Sequence, residues 1–309
     1  MRHYRIESPE ETYLITTRTM ESRLWFVNNS TLHERICAFL ARYREMYQIK
    51  LHAFVIMGNH YHLVARFPRR NRKAFMSSFN GMIAKLVASH TLAFTQGKLW
   101  GRRYSAQCLP NPEDIERAVL YCALNPVSSG LVAHPNDYKT YNSFFHAAHH
   151  QEREHSIFLR ENYTKAVRRR TSPVHPAEFT VTHTLSYDRI PGFEGLTNAQ
   201  YTAHLLRRHS EQHNLILNSR KEKGLGFPPQ TSLKTIPPGT IPRHTNTTPR
   251  DGHHPIVISN CPAARRAYIN HYIDCRARYI IASTRYRSGE LSVEFPPGMH
   301  KPPVPPPLA

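Results

Sequence analysis

The feature that most constrains the fold is a pair of strand-like segments joined by a two-residue turn. Residues 51–57 form an apolar run of the length expected for a buried strand. Gly58-Asn59 follows it, and such a junction is typical of a tight hairpin. In that hairpin Val55 lies opposite His62, and Met57 lies opposite His60. The pattern therefore predicts an antiparallel hairpin over about residues 50–67.

Two histidines lie on one face of the second strand of this hairpin. Side chains alternate across a strand, so His60 and His62 share a face while Tyr61 points to the other. Two imidazoles fixed on a strand form a partial site for a divalent metal. Alternatively, they are ordinary hydrogen-bonding groups in a chain that has 21 histidines. The pattern alone leaves both interpretations open.

A second set of polar side chains lies on a predicted helix. Asn111 and Pro112 are typical of a helix start, and Pro126 disfavours helical geometry at the residue before it, so we expect the helix to end near Asn125. Tyr121 and Asn125 are one turn apart on one face. This spacing suits a tyrosine nucleophile and a metal ligand that act on one phosphate. The alternative is a packing tyrosine and a helix-ending asparagine.

Several separated motifs occur together in one order. They are Met57-Gly58-Asn59-His60-Tyr61-His62, Leu99-Trp100-Gly101-Arg102-Arg103, residues 121–126, Gly130-Leu131-Val132 and residues 138–143. In these motifs, over about residues 13–145, the chain resembles the HUH single-tyrosine transposases. It is most similar to the REP-associated tyrosine transposases and their insertion-sequence relatives.

This resemblance implies a fold, a site and a reaction. The fold is an α+β, ferredoxin-like antiparallel sheet with helices on one face. The implied metal ligands are His60, His62 and Asn125, for Mg²⁺ or Mn²⁺, and the implied nucleophile is Tyr121. The expected reaction is attack of Tyr121 on a DNA phosphodiester, which gives a 5′-phosphotyrosine and a free 3′-OH, followed by strand transfer.

The charge of the chain is compatible with a DNA partner. Lys and Arg total 41 against 22 Asp and Glu, a formal net charge of +19 that attracts polyanions. Two groups are candidate DNA contacts, and the alternatives are a solvated face and, for the tryptophan, a core position. The first follows the histidine strand and comprises Arg66, Arg69, Arg70, Arg72 and Lys73; the second comprises Lys98, Trp100, Arg102 and Arg103.

Composition divides the chain near residue 150, because most of its 24 prolines follow that point. Residues 1–150 are the expected catalytic domain, with a strand over 12–18 and helices over 31–47 and 72–90. Residues 151–309 are expected to be a basic, Pro-rich, mainly helical extension. We expect helices over about 152–170, 197–223 and 262–286, an irregular stretch over 224–261 and a disordered tail from about 295.

Three functions remain open at this level. The expected function is a transposase acting on single-stranded, hairpin or palindromic DNA. The alternatives are a domesticated nucleic-acid-binding protein that retains the fold and a metal-dependent nuclease that uses water. The N-terminus has no apolar leader, and no apolar run is long enough to span a membrane. We therefore expect a soluble protein of the bacterial cytoplasm, in which a monomer is slightly favoured over a homodimer.

Overall fold

The computed structural model describes residues 4–169, 174–242 and 255–303. Its core is an antiparallel sheet on which two helices pack. Its strands, in the order β2-β3-β1-β4, are β1 (Thr12–Arg18), β2 (Lys50–Ile56), β3 (His60–Arg66) and β4 (Ser105–Leu109). Helix α1 (Ser30–Tyr47) connects β1 to β2, and α2 (Arg72–His90) connects β3 to β4. This order of elements is ferredoxin-like, so the predicted α+β fold is confirmed.

One face of the sheet is covered by α1 and α2. Alternate strand residues such as Ile15, Phe54 and Leu63 point to this face and are fully buried in one hydrophobic core with both helices. Helix α1 begins where the Asn29 side chain accepts a hydrogen bond from the Leu32 N–H at 2.9 Å. The two helices of the ferredoxin-like core thus lie on one face, as expected.

The opposite face is also covered by helices, which the expectation of helices on one face did not include. Leu14, Val55 and Val64 point to this face and are buried in a second core. It is covered by α3 (Pro112–Ser128), α4 (Phe144–Ala148) and α6 (Asn198–Glu222). The physical reason is that this face of the sheet also carries large apolar side chains, which are buried when helices cover them.

The prediction that α3 ends near Asn125 was wrong by one turn. The helix begins at Pro112, as predicted, but continues through Pro126 to Ser128. Its end is set by Gly130, which adopts a φ of +72°, so that Leu131 N–H bonds the Pro126 carbonyl at 3.0 Å. A proline this close to the C-terminal end removes only one hydrogen bond, and the following turn compensates for it.

The extension begins with a strand where a basic helix was expected. Strands β5 (Arg153–Phe158) and β6 (Thr180–Leu185) form a hairpin that packs on α1, and α5 (Arg160–Arg168) lies between them. His155 and Ile157 are buried while Glu154 and Ser156 are exposed. This alternation of two residues is typical of a strand and outweighed the helix prediction for residues 152–158.

The rest of the extension packs against the catalytic part of the chain. Helices α6 and α8 (Pro262–Arg287) lie close to the predicted ranges. A short helix, α7 (Gln230–Lys234), interrupts the stretch that was predicted to be irregular. Residues 243–254 of that stretch lie outside the described residues. Cys108 N–H bonds the Ile256 carbonyl, and Ile258 N–H bonds the Cys108 carbonyl, each at 2.9 Å. The extension therefore covers the open edge of β4. The domain boundary at residue 150 stays a prediction.

The tail expected to be disordered from about residue 295 is partly packed. Phe295 contacts the rings of Tyr279 and Tyr286 in α8. The Glu7 N–H donates to the Gly298 carbonyl at 2.9 Å, and the φ of +76° at Gly298 allows this approach, since a Cβ there would lie 2.2 Å from the Glu7 carbonyl oxygen. The prediction was wrong for residues 295–303; residues 304–309 lie outside the described residues.

Candidate active site

The two histidines occupy the face of β3 that α3 covers. Val55 pairs with His62, as the hairpin pattern predicted, and the neighbouring strand β1 places Thr16 opposite His62 and Arg18 opposite His60. The His60 and His62 rings are buried, with centroids 4.8 Å apart. The strand pairing thus holds two imidazoles side by side.

Each imidazole is oriented by a hydrogen bond at Nδ1. His62 Nδ1 lies 2.8 Å from Thr16 Oγ1, and His60 Nδ1 lies 2.6 Å from Asn59 Oδ1. When Nδ1 is engaged by an oxygen, Nε2 is the nitrogen available to a metal. His62 Nε2 lies 3.4 Å from Asn125 Nδ2, so the third predicted ligand is next to this nitrogen. The Asn125 amide nitrogen faces His62 Nε2, so coordination by the carboxamide requires the amide to turn its oxygen toward the histidines. In that orientation two imidazole nitrogens and one amide oxygen suit a divalent cation.

Burial keeps both imidazoles neutral. It lowers the pKa of His62 to about 3, with a further contribution from the Arg18 charge. Burial, together with His62 and Arg18, also lowers the pKa of His60 well below its usual value. A neutral imidazole has the free lone pair that metal coordination requires, whereas a protonated one does not.

Tyr121 and Asn125 lie on the same face of α3, one above the other. The Tyr121 side chain is 46% exposed, and its ring centroid lies 5.1 Å from that of His62. Asn125 is buried, and its Oδ1 accepts a hydrogen bond from Ser129 Oγ at 3.3 Å. The structure therefore brings the four predicted catalytic residues together, with only the tyrosine reaching solvent.

The surroundings of Tyr121 do not make it a strong nucleophile unaided. Burial raises its pKa, and the Cys122 thiol acts in the same direction. A hydrogen bond with Asn125 and the Arg18 charge oppose this rise, but they do not overcome it. The phenol is therefore protonated at neutral pH, and attack by it requires that developing negative charge be stabilised elsewhere.

Tyr121 opens onto a cleft of about 920 Å³ lined by several cationic side chains. Arg18, Arg102, Arg103 and Arg117 contribute to the lining, together with Asn260 from the extension. Burial lowers the pKa of Arg18, although the nearby Tyr121 raises it. The motif analysis missed Arg18, because its place beside the histidines depends on the pairing of β1 with β3. Such pairing has no local sequence signal.

The second group of candidate DNA contacts is divided by the structure. Arg102 and Arg103 line the Tyr121 cleft. Trp100 instead packs against Phe26 and Tyr61, and its Nε1–H donates to the Asn80 carbonyl at 2.9 Å. Its ring is thus a packing element, and base stacking by it is not supported. Lys98 is exposed, outside the cleft lining.

The first group begins at the end of β3 that is opposite the Gly58-Asn59 turn. Arg66 ends β3, four residues from His62 and six from His60, which are separations of about 13 Å and about 20 Å along a strand. The exposed members Arg69, Arg70 and Lys73 lie beyond it. Arg72 is buried over the Tyr13 ring and donates to the Ile6 carbonyl at 2.8 Å. Only for Arg72 does the structure favour a packing role; DNA contact by the exposed members of this group stays a prediction.

Within the described parts of the chain, no group of three or more His, Cys, Asp or Glu side chains is placed to hold a metal. A metal bound by His60 and His62 would therefore need a ligand of another type, such as Asn125. Within the same ranges, no helix has both the length and the apolar character needed to cross a membrane.

Part of the chain is similar to a family of known proteins. Residues 12–118, about a third of the chain, match the family model described as "Transposase IS200 like". This part of the chain is thus similar to IS200-like transposases. This confirms the resemblance found in the sequence motifs and supports a transposase, an enzyme that processes DNA. The match includes His60 and His62 and stops three residues before Tyr121.

Solved structures that are similar to part of this chain share little sequence with it. One is described as "Structure of the REP associates tyrosine transposase bound to a REP hairpin", with 20% identity over 47% of this chain and 81% of that chain and a TM-score of 0.36. Another is "a putative transposase from deinococcus radiodurans r1", with 19% identity over 34% of this chain and 84% of that chain and a TM-score of 0.28. At these scores the likeness carries no functional conclusion. No curated protein matches the chain.

Proposed function

We propose that this protein is a transposase that cuts and rejoins single-stranded or hairpin DNA through a covalent bond to Tyr121. The observation that carries the proposal is the position of the half-exposed Tyr121 ring, 5.1 Å from His62, at an arginine-lined cleft. A tyrosine that only packed would have no need of this polar surrounding. A protein that only bound DNA would need neither the tyrosine nor the imidazole pair.

His60, His62 and Asn125 are the proposed ligands of a divalent metal, Mg²⁺ or Mn²⁺. The two imidazoles on β3 lie beside the Asn125 carboxamide on α3, and hydrogen bonds between their Nδ1 atoms and the Thr16 and Asn59 side-chain oxygens orient the two rings. When bound, the metal would polarise the scissile phosphate and offset the charge that develops on it. Imidazole ligands suit Mn²⁺ especially, because it accepts nitrogen more readily than Mg²⁺ does.

The proposed step exchanges one phosphodiester for another. The Tyr121 oxygen forms a bond to phosphorus as the bond from phosphorus to the 3′ oxygen of the preceding nucleotide breaks. The phenolic proton is lost and the leaving oxygen gains one, so the products are a 5′-phosphotyrosine and a free 3′-OH. Arg18, near both Tyr121 and the histidines, is placed to stabilise the negative phosphate.

Rejoining is the reverse of this step. A second DNA 3′-OH attacks the phosphotyrosine, and the tyrosine oxygen leaves. The energy of the ester is retained throughout, so no ATP is required. Water used in place of Tyr121 would give simple hydrolysis and no rejoining, which separates a transposase from a nuclease.

The proposed DNA substrate is a single strand or the unpaired part of a hairpin, bound by a monomer. Arg18, Arg102 and Arg103 supply positive charge along the cleft beside Tyr121. A strand without a complement can bring one phosphate to a buried imidazole pair, whereas the phosphates of a duplex stay on the outside of a rigid helix. Binding by these cations is expected to weaken steeply as salt is added.

The test is a denaturing gel of the purified protein with labelled hairpin DNA from its own genomic flanks, with Mg²⁺ or Mn²⁺. Wild type is compared with Tyr121→Phe and His60→Ala. The matched controls are Tyr163→Phe, on α5, and His175→Ala, at an exposed position. We expect a covalent protein–DNA band with wild type and both controls, and none with Tyr121→Phe or His60→Ala.

Two other results would contradict the proposal. Cleavage without an adduct that survives Tyr121→Phe would identify a nuclease that uses water. Tight binding of several flanking hairpins, with neither cleavage nor adduct under either metal, would identify a DNA-binding protein that keeps the fold without the reaction.

A further inference from the structure

A second cavity, of about 520 Å³, lies on the other side of Arg18 and His60 from the Tyr121 cleft. Arg18 lines both spaces, His62 and Tyr121 line only the larger cleft, and His60 lines only this second cavity. Its volume is within the roughly 300–1,000 Å³ typical of small-molecule sites. The histidine pair therefore separates two cavities, one on each side.

The outer wall of this cavity comes from the extension, which no motif assigned to the site. Residues 233–242 lie across the loop that follows β1, and several of them line the cavity. Asn28 Nδ2 donates to the Leu233 carbonyl at 3.0 Å and to the Ile236 carbonyl at 2.9 Å. The Leu24 N–H donates to the Thr240 carbonyl at 2.9 Å. These bonds fix the segment as a wall of defined shape.

Resting on the proposed function, we infer that this cavity binds the nucleotide immediately 5′ of the scissile phosphate, the one that leaves with the free 3′-OH. In a displacement at phosphorus, the attacking and leaving oxygens lie on opposite sides of the phosphorus atom. Tyr121 attacks from the His62 side, so the leaving 3′ oxygen points to the His60 side, which opens into the second cavity. The same geometry brings the released 3′-OH back for rejoining.

The lining has the chemistry that a single unstacked nucleotide requires. Apolar side chains from both parts of the chain supply surfaces for the flat faces of a base: Leu24, Val27, Leu131, Ile236 and Ile241. Lys139 and Lys234 supply positive charge for a backbone phosphate. Asp137 supplies acceptor oxygens that can distinguish one base edge from another. By binding this nucleotide, the cavity, including its residues from the extension, thus helps to determine which phosphodiester is cleaved.

The test uses the full chain and a substrate whose cleavage position has been located by sequencing the DNA in the wild-type adduct. The nucleotide 5′ of that position is replaced by an abasic residue, and a second substrate has the abasic residue on the 3′ side. Adduct formation is measured for wild type and for Ile236→Ala/Ile241→Ala. The control is Ile281→Ala, which removes an isoleucine of similar exposure (62%, against 51% for Ile241) on α8.

We expect the 5′ abasic residue to raise the KM for adduct formation about tenfold in wild type and in the control. In the double variant the same substitution is expected to raise this KM by no more than about twofold. The 3′ abasic residue is expected to affect all three proteins equally. A second measurement uses 2-aminopurine at the 5′ position and the Tyr121→Phe variant, which binds DNA without cutting it. The fluorescence of the probe is expected to change on binding to Tyr121→Phe, and to change less on binding to Tyr121→Phe/Ile236→Ala/Ile241→Ala.

An adduct that is insensitive to the 5′ abasic residue, or equally sensitive in wild type and in the double variant, would overturn this inference and leave the proposed function standing. Absence of any wild-type adduct on all substrates would overturn the proposed function, and this inference with it. Folding of the double variant is checked by circular dichroism. If it does not fold, the aminopurine measurement is repeated with Ile241→Ala alone in the Tyr121→Phe background, because the Ile241 side chain is half exposed and its loss leaves the core intact.

Discussion

Asp188, in the extension, is predicted to hold the extension to the catalytic part of the chain. Its carboxylate accepts a hydrogen bond from the Leu51 N–H at 2.9 Å, at the start of β2, and pairs with Arg44 at 3.0 Å and Lys50 at 3.1 Å. Burial raises the pKa of Asp188, but the Leu51 hydrogen bond and the Arg44 charge outweigh it, and the pKa lies below its usual value. The charged form therefore stabilises the folded state.

The substitution Asp188→Asn keeps the size of the side chain and removes its charge. The amide oxygen can still accept from Leu51, so the loss comes mainly from Arg44, whose side chain is 20% exposed. Hydrogen bonds to charged groups contribute about 1.5–3 kcal/mol, and the half-exposed Lys50 contributes little. We expect a loss of about 2 kcal/mol in the free energy of unfolding.

The assay is urea unfolding followed by circular dichroism from pH 3 to pH 8. The control is Asp274→Asn, which breaks an exposed pair with Arg278 and is expected to cost less than about 0.5 kcal/mol. Because the folded pKa of Asp188 is lowered, its contribution is complete above about pH 4 and is lost as pH falls through the folded value. The reasoning would be refuted if wild type and Asp188→Asn had the same free energy of unfolding at pH 7, or if the difference between them increased in acid.

Three further predictions concern catalysis and packing. Arg18→Ala is expected to slow adduct formation about 10²- to 10³-fold in single-turnover assays, with a smaller loss for Arg18→Lys; an unchanged rate would exclude phosphate stabilisation by this residue. Leu205→Ala, at a fully buried position on α6, is expected to cost about 2–5 kcal/mol in urea unfolding, and a cost under 1 kcal/mol would mean that α6 is not needed for the core. Gly130→Ala, at a φ of +72° and against the Arg220 guanidinium, is expected to lower the stability by more than about 1 kcal/mol, whereas Gly195→Ala, with open space around it, serves as its control.

The local elements of the catalytic part were predictable because each has a short-range cause. Strand β1 and helix α2 have the predicted limits, and the hairpin has the predicted pairing of Val55 with His62. Apolar periodicity and turn residues act over a few positions, so they can be recognised in one sequence. The prediction for the end of α3 failed since it gave Pro126 too much weight and Gly130 too little.

The extension shows where local patterns were insufficient. The buried alternation of β5 follows from its packing on α1, which is more than a hundred residues away along the chain. The tail at Phe295 and Gly298 is held by α8 and by Glu7, near the other end of the chain. A proline-rich composition favours disorder only while no partner surface is known, and here the partner is the chain itself.

The sequence by itself determined the strands and helices of the catalytic part, because strand alternation and helical spacing place side chains over short distances. The ferredoxin-like fold and the proposed catalytic set of His60, His62, Tyr121 and Asn125 came from the resemblance of its motifs to a known family. Only the tertiary structure decided that Arg18 lies beside the histidines, that Arg72 is buried over the Tyr13 ring, and that residues 233–242 wall a second cavity next to His60. The physical reason is that strand pairing and helix packing join positions distant in the chain, and no local pattern records which of them meet.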